Sequence, residues 1–167
     1  TEAVEAAIKF ARYTTKRSRI VHCDHSYHGL TMGSLSLTGE EIFREGFGPM
    51  LPQVSSVPFN DLEALEQALS SKDVAAFIVE PIQGEGVNIP SDNYLPEVER
   101  LCKKYGTLFV ADEIQTGIGR TGTMFAMEQY GVAADLTTVA KSLAAGMPLS
   151  AVVGKKEAEE GKVAIRR

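Results

Sequence analysis

Two short apolar runs near the middle of the chain each end in an ionisable side chain. Residues 108–111 (Leu-Phe-Val-Ala) lead into Asp112, and residues 136–140 (Leu-Thr-Thr-Val-Ala) lead into Lys141. Runs of this length are typical of buried strands. The carboxyl ends of parallel strands meet at one edge of a sheet, where ligands bind. We therefore expect the Asp112 carboxylate and the Lys141 amine to lie at one ligand-binding edge.

Strand-like runs and helical patterns alternate along the rest of the chain. Apolar residues at helical spacing predict helices over residues 1–15, 61–70 and 93–105, with shorter ones over 30–37 and 124–128. Residues 40–57 are predicted to be irregular. Strands are predicted over residues 20–23, 75–79, 108–111, 136–140 and 151–154. This alternation predicts a doubly wound α/β sheet.

Charge and cysteine content narrow the class of protein. The net charge of −5 argues against a nucleic-acid surface, and no apolar run is long enough to span a membrane. Cys23 and Cys102 are too few for a disulfide framework, so we expect a reduced, cytoplasmic setting. Because the sequence begins inside a helical pattern and ends in a charged tail, we also expect it to be part of a longer protein.

Histidines recur at every third position in the segment that carries His22, His25 and His28. This segment passes from a predicted strand into a loop, so the three side chains do not share a helical face. The paired Cys/His spacings of zinc sites are also missing from the sequence. We therefore predict no metal site.

The spacing of Gly117, Gly119 and Gly122 matches the G-x-G-x-x-G fingerprint of dinucleotide-binding proteins. That fingerprint follows a strand directly, opens a helix and has an acid about 20 residues further on. Here residues 112–116 intervene, and Asp135 begins a predicted strand instead. A tight turn with positive φ is the favoured interpretation. A nucleotide-binding module at Gly117–Gly122 is the alternative from another class, although no G-x-x-x-x-G-K-[ST] motif is present.

The chemistry of Asp112 and Lys141 indicates a cofactor. A lysine among small residues, here 144–148, loses its proton more easily when it is desolvated, and a neutral amine can attack an aldehyde. A carboxylate can hold a protonated pyridine nitrogen. These are the protein groups that pyridoxal 5'-phosphate requires. A strand-end lysine that simply faces solvent is the plainer interpretation.

Six segments in order resemble the class III pyridoxal-phosphate-dependent aminotransferases, the group that includes ornithine, 4-aminobutyrate and putrescine aminotransferases. The resemblance covers residues 1–157 and implies the three-layer αβα large domain of PLP-dependent transferase fold type I, with a mostly parallel sheet. Residues 158–167 would be an unaligned charged tail, and an N-terminal segment and a C-terminal small domain would lie outside the sequence. The segments are Thr1-Glu2-Ala3, Tyr27-His28-Gly29, 80–86 (EPIQGEG), 112–117 (DEIQTG), 119–122 (GRTG) and 140–142 (AKS).

The resemblance implies a role for each matched residue at the cofactor. Lys141 would form a Schiff base with the cofactor aldehyde and then move a proton between substrate and cofactor. Asp112 would pair with the ring nitrogen, and Gln115 would donate to the phenolic oxygen of the ring. Tyr27 would stack on the ring face, and His28 would flank it.

Three more residues complete the implied site. Thr1 would help to bind the phosphate at a helix N-terminus, and Glu80 would support the cofactor. Glu85 resembles the gate acid of the ω-amine members and would lie on the substrate side. The sequence departs mildly from the family at Val87 and at residues 144–145, where glycines are common.

We therefore predict a PLP-dependent aminotransferase that moves an amino group from an amine or ω-amino acid to a 2-oxo acid. The implied mechanism is a ping-pong Schiff-base reaction on Lys141, in a cytoplasmic homodimer. A class III aminomutase, racemase or decarboxylase with the same cofactor site is the nearest alternative. A fragment that keeps the fold but lacks a complete site is a further one.

Overall fold

The computed structural model of the chain describes residues 1–155. The strands are β1 Arg19–Cys23, β2 Val54–Val57, β3 Val74–Val79, β4 Leu108–Asp112, β5 Leu136–Val139 and β6 Ala151–Gly154. The helices are α1 Glu2–Thr15, α2 Met32–Leu35, α3 Leu62–Leu69 and α4 Tyr94–Tyr105. Short 3₁₀ helices cover Glu41–Phe43, Ala126–Tyr130 and Lys141–Ala144.

All six strands form one sheet in the order β2-β1-β3-β4-β5-β6. Strands β1 to β5 pair in parallel, whereas β6 runs antiparallel to β5. The predicted, mostly parallel α/β sheet is confirmed. Because parallel strands end at the same edge, the residues that follow β1, β3, β4 and β5 are brought together there.

Helices cover both faces of the sheet. Helix α1 packs on one face, where Ile8 and Ala11 belong to the same buried cluster as Ile78. Helices α3 and α4 pack on the other face, where Leu65 and Val98 share a buried cluster with strand residues that include Val21, Phe77 and Phe109. Burial of apolar side chains on both faces gives the predicted three-layer αβα arrangement.

Local capping explains where the longer helices begin and end. The Asp61 carboxylate accepts the Ala64 N–H at 2.9 Å and starts α3. Gly106, at φ 65°, ends α4 in the left-handed conformation that glycine adopts without steric cost. None of the helices within residues 1–155 is long and apolar enough to cross a membrane.

Two predictions upstream of β3 differ from the structure. The helix expected over residues 30–37 is limited to Met32–Leu35, where the Ser36 hydroxyl donates to the Met32 carbonyl at 2.6 Å. Serine side chains compete with helical backbone bonds in this way. The segment 40–57, expected to be irregular, contains a 3₁₀ helix and the edge strand β2. That strand reads Val-Ser-Ser-Val, so it lacks the apolar run of a central strand.

Two boundaries near the carboxyl edge also differ from the prediction. Strand β5 stops at Val139 rather than at residue 140, because Ala140 has φ −159° and ψ −133° and Lys141 has φ 34°. The short helix expected over 124–128 is a 3₁₀ helix at Ala126–Tyr130. The tail at 158–167 lies outside the described residues.

Candidate active site

A cavity of about 690 Å³ opens at the carboxyl edge of the sheet. Its walls come from the segments that follow β1, β3, β4 and β5, together with the N-terminus of α1. Each of the eight residues predicted for the site contributes to these walls. They are Thr1, Tyr27, His28, Glu80, Glu85, Asp112, Gln115 and Lys141.

Asp112 is the last residue of β4, and its carboxylate is held by three hydrogen bonds. Oδ2 lies 2.6 Å from Nδ1 of His28. Oδ1 accepts the Thr138 hydroxyl at 2.9 Å and the Ile114 N–H at 3.1 Å. A carboxylate offers about four acceptor positions, so about one position stays free for a donor in the cavity.

His28 is buried beside this carboxylate. Burial alone would lower the pKa of His28, but the hydrogen bond and charge of Asp112, together with the charge of Glu80, raise it above its ordinary value. Nδ1 therefore serves as the donor to Asp112. Nε2 is buried and has no hydrogen-bond partner among residues 1–155.

Lys141 opens the 3₁₀ helix that follows β5, and its side chain is exposed at the cavity. Its Nζ donates to Oε1 of Gln115 at 2.6 Å. Its φ of 34° lies in the left-handed region, which costs a residue with a Cβ about 1 kcal/mol. Such strain is concentrated at functional sites, where the surrounding structure maintains it.

Glu80 follows β3 and joins two loops that line the cavity. Oε1 accepts the Tyr27 N–H and Oε2 accepts the Gly84 N–H, both at 2.9 Å. Burial is the main reason why the pKa of Glu80 is raised. A Cβ at Gly84 would lie 2.9 Å from Nε2 of Gln115, so a larger residue there would displace the end of the Gln115 side chain. Glu80 thus places the backbones of Tyr27 and Gly84 relative to each other.

Tyr27 and Thr1 also line the cavity. The Tyr27 ring meets the Phe43 ring edge-on, with centroids 5.4 Å apart, so its plane is set by packing. Thr1 precedes the first turn of α1, and its Oγ1 accepts the Thr31 N–H at 3.2 Å and lies 2.5 Å from the Ser34 hydroxyl. The free N–H groups of a helix N-terminus favour an anion.

Two further acids near the cavity, Glu85 and Glu113, differ in burial. Glu85 is exposed at the cavity wall, and its carboxylate has no hydrogen bond or ion pair with the described residues. Glu113 is buried and accepts the N–H groups of Ala126 and Met127, at 3.1 and 2.9 Å. It therefore anchors the 3₁₀ helix at Ala126–Tyr130. The sequence did not predict this role, although Glu113 directly follows Asp112.

Of the three histidines only His28 lines the cavity, and the glycine turn at residues 117–122 contributes no residue to it. His22 contacts the Cys23 carbonyl and Ser26, and mainly its burial lowers its pKa to about 4. His25 pairs with Glu40 at the surface. Within residues 1–155 no group of three or more His, Cys, Asp or Glu side chains is arranged to hold a metal ion. The turn has positive φ at Gly119 and Gly122, as predicted, and a 3₁₀ helix rather than an α-helix follows it.

Known sequences match the chain over most of its length. The profile of the family Aminotransferase class-III matches residues 1–162. The chain is 53% identical over 157 residues to an acetylornithine aminotransferase of Bacillus cereus, which covers 93% of this chain and 40% of that protein. It is 48% identical over 166 residues to an ornithine aminotransferase of the same species, covering 93% of this chain and 42% of that protein.

Solved structures of aminotransferases are also similar to the chain. Ornithine aminotransferase from Toxoplasma gondii superposes with a TM-score of 0.93 at 36% identity, covering 99% of this chain and 42% of that one. An amine transaminase from an uncultivated Pseudomonas species, in its PLP-bound form, gives 0.87 at 30% identity, covering 96% and 43%. The chain thus spans about two fifths of the length of these relatives.

Proposed function

Since the chain belongs to the class-III aminotransferases, we propose that it carries part of the active site of a pyridoxal-phosphate-dependent aminotransferase. The amino group would pass from an amine or ω-amino acid to a 2-oxo acid. The observation that supports this most directly is the arrangement of Asp112 and Lys141. Both side chains line one cavity. The Asp112 carboxylate is buried and has a free acceptor position, and the Lys141 amine donates a hydrogen bond to Gln115.

The residues present fit the family's cofactor. Bound pyridoxal phosphate supplies an aldehyde that joins to an amine and a protonated ring that withdraws electrons. A cavity of about 690 Å³ lies within the size range of small-ligand sites. Asp112 would accept the ring N–H at its remaining acceptor position. The N-terminus of α1, with Thr1, would offer N–H groups to the phosphate, and the Tyr27 side chain, which also lines the cavity, would stack on the ring.

Some side chains of the chain would bind the cofactor, and one of them would also transfer a proton. The Lys141 Nζ would hold the cofactor through its aldehyde, and as a free amine it would carry a proton to or from the reacting carbon of the substrate. Gln115, whose Oε1 accepts from Nζ at 2.6 Å, keeps the amine directed along the cavity wall. His28 donates to Asp112 and fixes its orientation, and the carboxylate held in this way would pair with the ring nitrogen. Because this geometry is formed before any ligand binds, the site is preorganised.

The substrate side is open and acidic. Glu85 extends from the cavity wall without a partner among the described residues, and a carboxylate there favours a second cationic group on the donor. The matches to ornithine and acetylornithine aminotransferases support a donor with a terminal amine. The donor and the oxo acid would react in turn, in a ping-pong cycle.

The larger assembly is part of the same proposal. We assign residues 1–157 to the cofactor-binding large domain, and we expect a homodimer in the cytoplasm. Leu30 and Met32 are about half exposed beside the cavity, at 55% and 49%, and provide an apolar surface for a second copy. Cys23 and Cys102 are both free, which is compatible with a reducing compartment.

Absorbance spectroscopy of the full-length protein tests the proposal. With pyridoxal phosphate added, the unsubstituted protein should show a visible band that borohydride removes, and mass spectrometry should then find the cofactor on Lys141. Lys141→Ala should lose the band. Lys155→Ala is the matched control, since Lys155 also follows a strand of the sheet but binds Asp135 and the Ala133 carbonyl. A missing band in the unsubstituted protein, or a label on another lysine, would contradict the proposal.

Product analysis separates transamination from the related reactions. An amine donor and 2-oxoglutarate should yield glutamate in amounts equal to the donor consumed. A donor that rearranges, racemises or loses carbon dioxide without glutamate formation would instead identify an aminomutase, a racemase or a decarboxylase.

A further inference from the structure

The glycine turn at residues 117–122, which the proposed function leaves unused, reaches the segment that carries Lys141. The Nε of Arg120 donates to the Ser142 hydroxyl oxygen at 2.8 Å. Ser142 directly follows Lys141 in the chain. The hydrogen bond therefore holds the residue next to Lys141, whose backbone conformation determines where the lysine side chain points.

The backbone around Lys141 needs such support. Lys141 has φ 34°, and Ala140 before it has φ −159° and ψ −133°, so neither residue continues a strand or an α-helix. The 3₁₀ turn is closed by the Leu143 N–H, which donates to the Ala140 carbonyl at 2.8 Å. No side chain caps the start of this 3₁₀ helix. A conformation of this kind persists only where neighbouring contacts maintain it.

The turn that carries Arg120 is itself firmly anchored. A Cβ at Gly117 would lie 2.7 Å from the Glu113 carbonyl oxygen, so the chain doubles back closely there. The Ile118 N–H donates to the Met124 carbonyl at 2.7 Å. Gly122 has φ 98°, a conformation that glycine adopts readily. The backbone from which the Arg120 side chain extends is therefore held by contacts within the turn.

Three side-chain hydrogen bonds connect β4 and the segment that follows it to β5 and the segment that follows it. Thr138 donates to Asp112, and Lys141 donates to Gln115. These two bonds position the reacting groups themselves. The third bond, from Arg120 to Ser142, acts on the backbone beside the lysine.

We propose that Arg120 is a positioning residue, which holds Ser142 and thereby keeps Lys141 in the left-handed conformation that directs its amine along the cavity. The catalytic consequence rests on the proposed function of Lys141. The backbone effect does not, because it is a property of the protein without any ligand. The two parts can therefore be tested separately.

Hydrogen exchange in the full-length protein without cofactor tests the backbone effect. The measured quantity is exchange at the Leu143 amide, followed by mass spectrometry of overlapping peptides. Arg120→Ala and Ser142→Ala should each speed this exchange about fivefold, the effect of one lost hydrogen bond on a local opening equilibrium. The double variant should show no further increase, because both changes remove the same bond.

Two variants control for loosening of the turn. Gln129→Ala removes a side chain that donates to the Thr121 carbonyl and the Thr123 hydroxyl in the same turn but does not reach Ser142. Ser142→Thr keeps the acceptor hydroxyl. Both should exchange at Leu143 like the unsubstituted protein. Unchanged exchange in Arg120→Ala, or an equal increase in Gln129→Ala, would overturn the proposal.

Kinetics test the catalytic consequence. In Arg120→Ala, kcat and the rate of cofactor attachment to Lys141 should each fall about fivefold, by the same lost bond, while KM stays nearly unchanged. A rise in KM with unchanged kcat would overturn this part. If the unsubstituted protein never carries cofactor on Lys141, the proposed function fails, and the exchange comparison still decides the role of Arg120.

Discussion

The Nδ1 of His28 lies 2.6 Å from Oδ2 of Asp112, and both side chains are buried. Thr138 and the Ile114 N–H hold the other oxygen of the carboxylate. The carboxylate therefore cannot rotate without breaking several hydrogen bonds. Its free acceptor position is directed by the protein before a ligand arrives, which is the condition for electrostatic preorganisation.

The first prediction concerns the titration of His28. Asp112 and Glu80 raise the pKa of His28 despite its burial, so NMR of the imidazole should give a value above 6.5. Asp112→Asn should lower this pKa, because it removes both the charge and the charge-assisted hydrogen bond. An unchanged His28 pKa in Asp112→Asn would contradict the assignment.

The same shift predicts the pH dependence of stability. A histidine with a raised pKa in the folded state stabilises the protein fully below its unfolded pKa, near 6.5, and this contribution is lost as the pH rises through the folded pKa. The gap in denaturation midpoint between the unsubstituted protein and His28→Gln should therefore narrow as the pH rises.

His22 provides a control of opposite sign. Its pKa is lowered from 6.5 to about 4, so its contribution is present above 6.5 and is lost as the pH falls through about 4. The gap for His22→Gln should therefore narrow toward acid pH. If the two gaps in denaturation midpoint changed with pH in the same direction, the opposite pKa shifts of His28 and His22 would be contradicted.

The second prediction concerns the charge of Asp112. Asp112→Asn keeps an oxygen that can accept from Thr138 and Ile114 but offers no negative charge to a ring nitrogen. We expect kcat to fall about a hundredfold or more, the usual effect of removing one preorganised electrostatic contact. Steady-state kinetics with a saturating donor would measure it. Asp135→Asn is the matched control, because Asp135 lies just before β5 and binds the Phe109 N–H away from the cavity. A similar kcat in the two variants would contradict the assignment.

The third prediction separates the two glutamates of the cavity. In Glu80→Gln, one of the N–H groups of Tyr27 and Gly84 loses its acceptor, at a cost of about 1–3 kcal/mol in the free energy of unfolding. Urea denaturation would measure this cost. Glu85→Gln removes a charge that makes no described contact, so its midpoint should stay unchanged while KM for a diamine donor rises. An unaltered urea midpoint in Glu80→Gln would show that Glu80 does not have this structural role.

Much of the site was predictable because its chemistry lies at strand ends. Apolar runs locate the strands, and parallel pairing brings their carboxyl ends together, so the sequence alone places Asp112 and Lys141 at one edge. The edge strand β2 was missed because its polar face and short length give no apolar run. An edge strand is identified by its pairing with β1, which sequence periodicity does not encode.

The supporting residues were missed for a related reason. Thr138, Glu113 and Arg120 act through hydrogen bonds to partners that lie 26, 13 and 22 positions away in the chain. Threonine, glutamate and arginine at such positions are indistinguishable from ordinary polar residues until the fold brings each to its partner. Their roles follow from tertiary contacts, whereas the strand-end groups follow from local pattern.

The last prediction concerns the glycine that faces the start of α1. Gly29 has φ 122°, and a Cβ there would lie 2.3 Å from Oγ1 of Thr1 and 2.9 Å from the Ser34 hydroxyl. Gly131→Ala introduces positive-φ strain alone, since at φ 65° its Cβ would meet nothing within 4 Å, and should cost about 1 kcal/mol. Gly29→Ala should lower the denaturation midpoint further and also weaken the affinity for inorganic phosphate, because the clash displaces Thr1 from the helix N-terminus. Equal stability and equal phosphate affinity in the two variants would show that Thr1 does not shape the anion site.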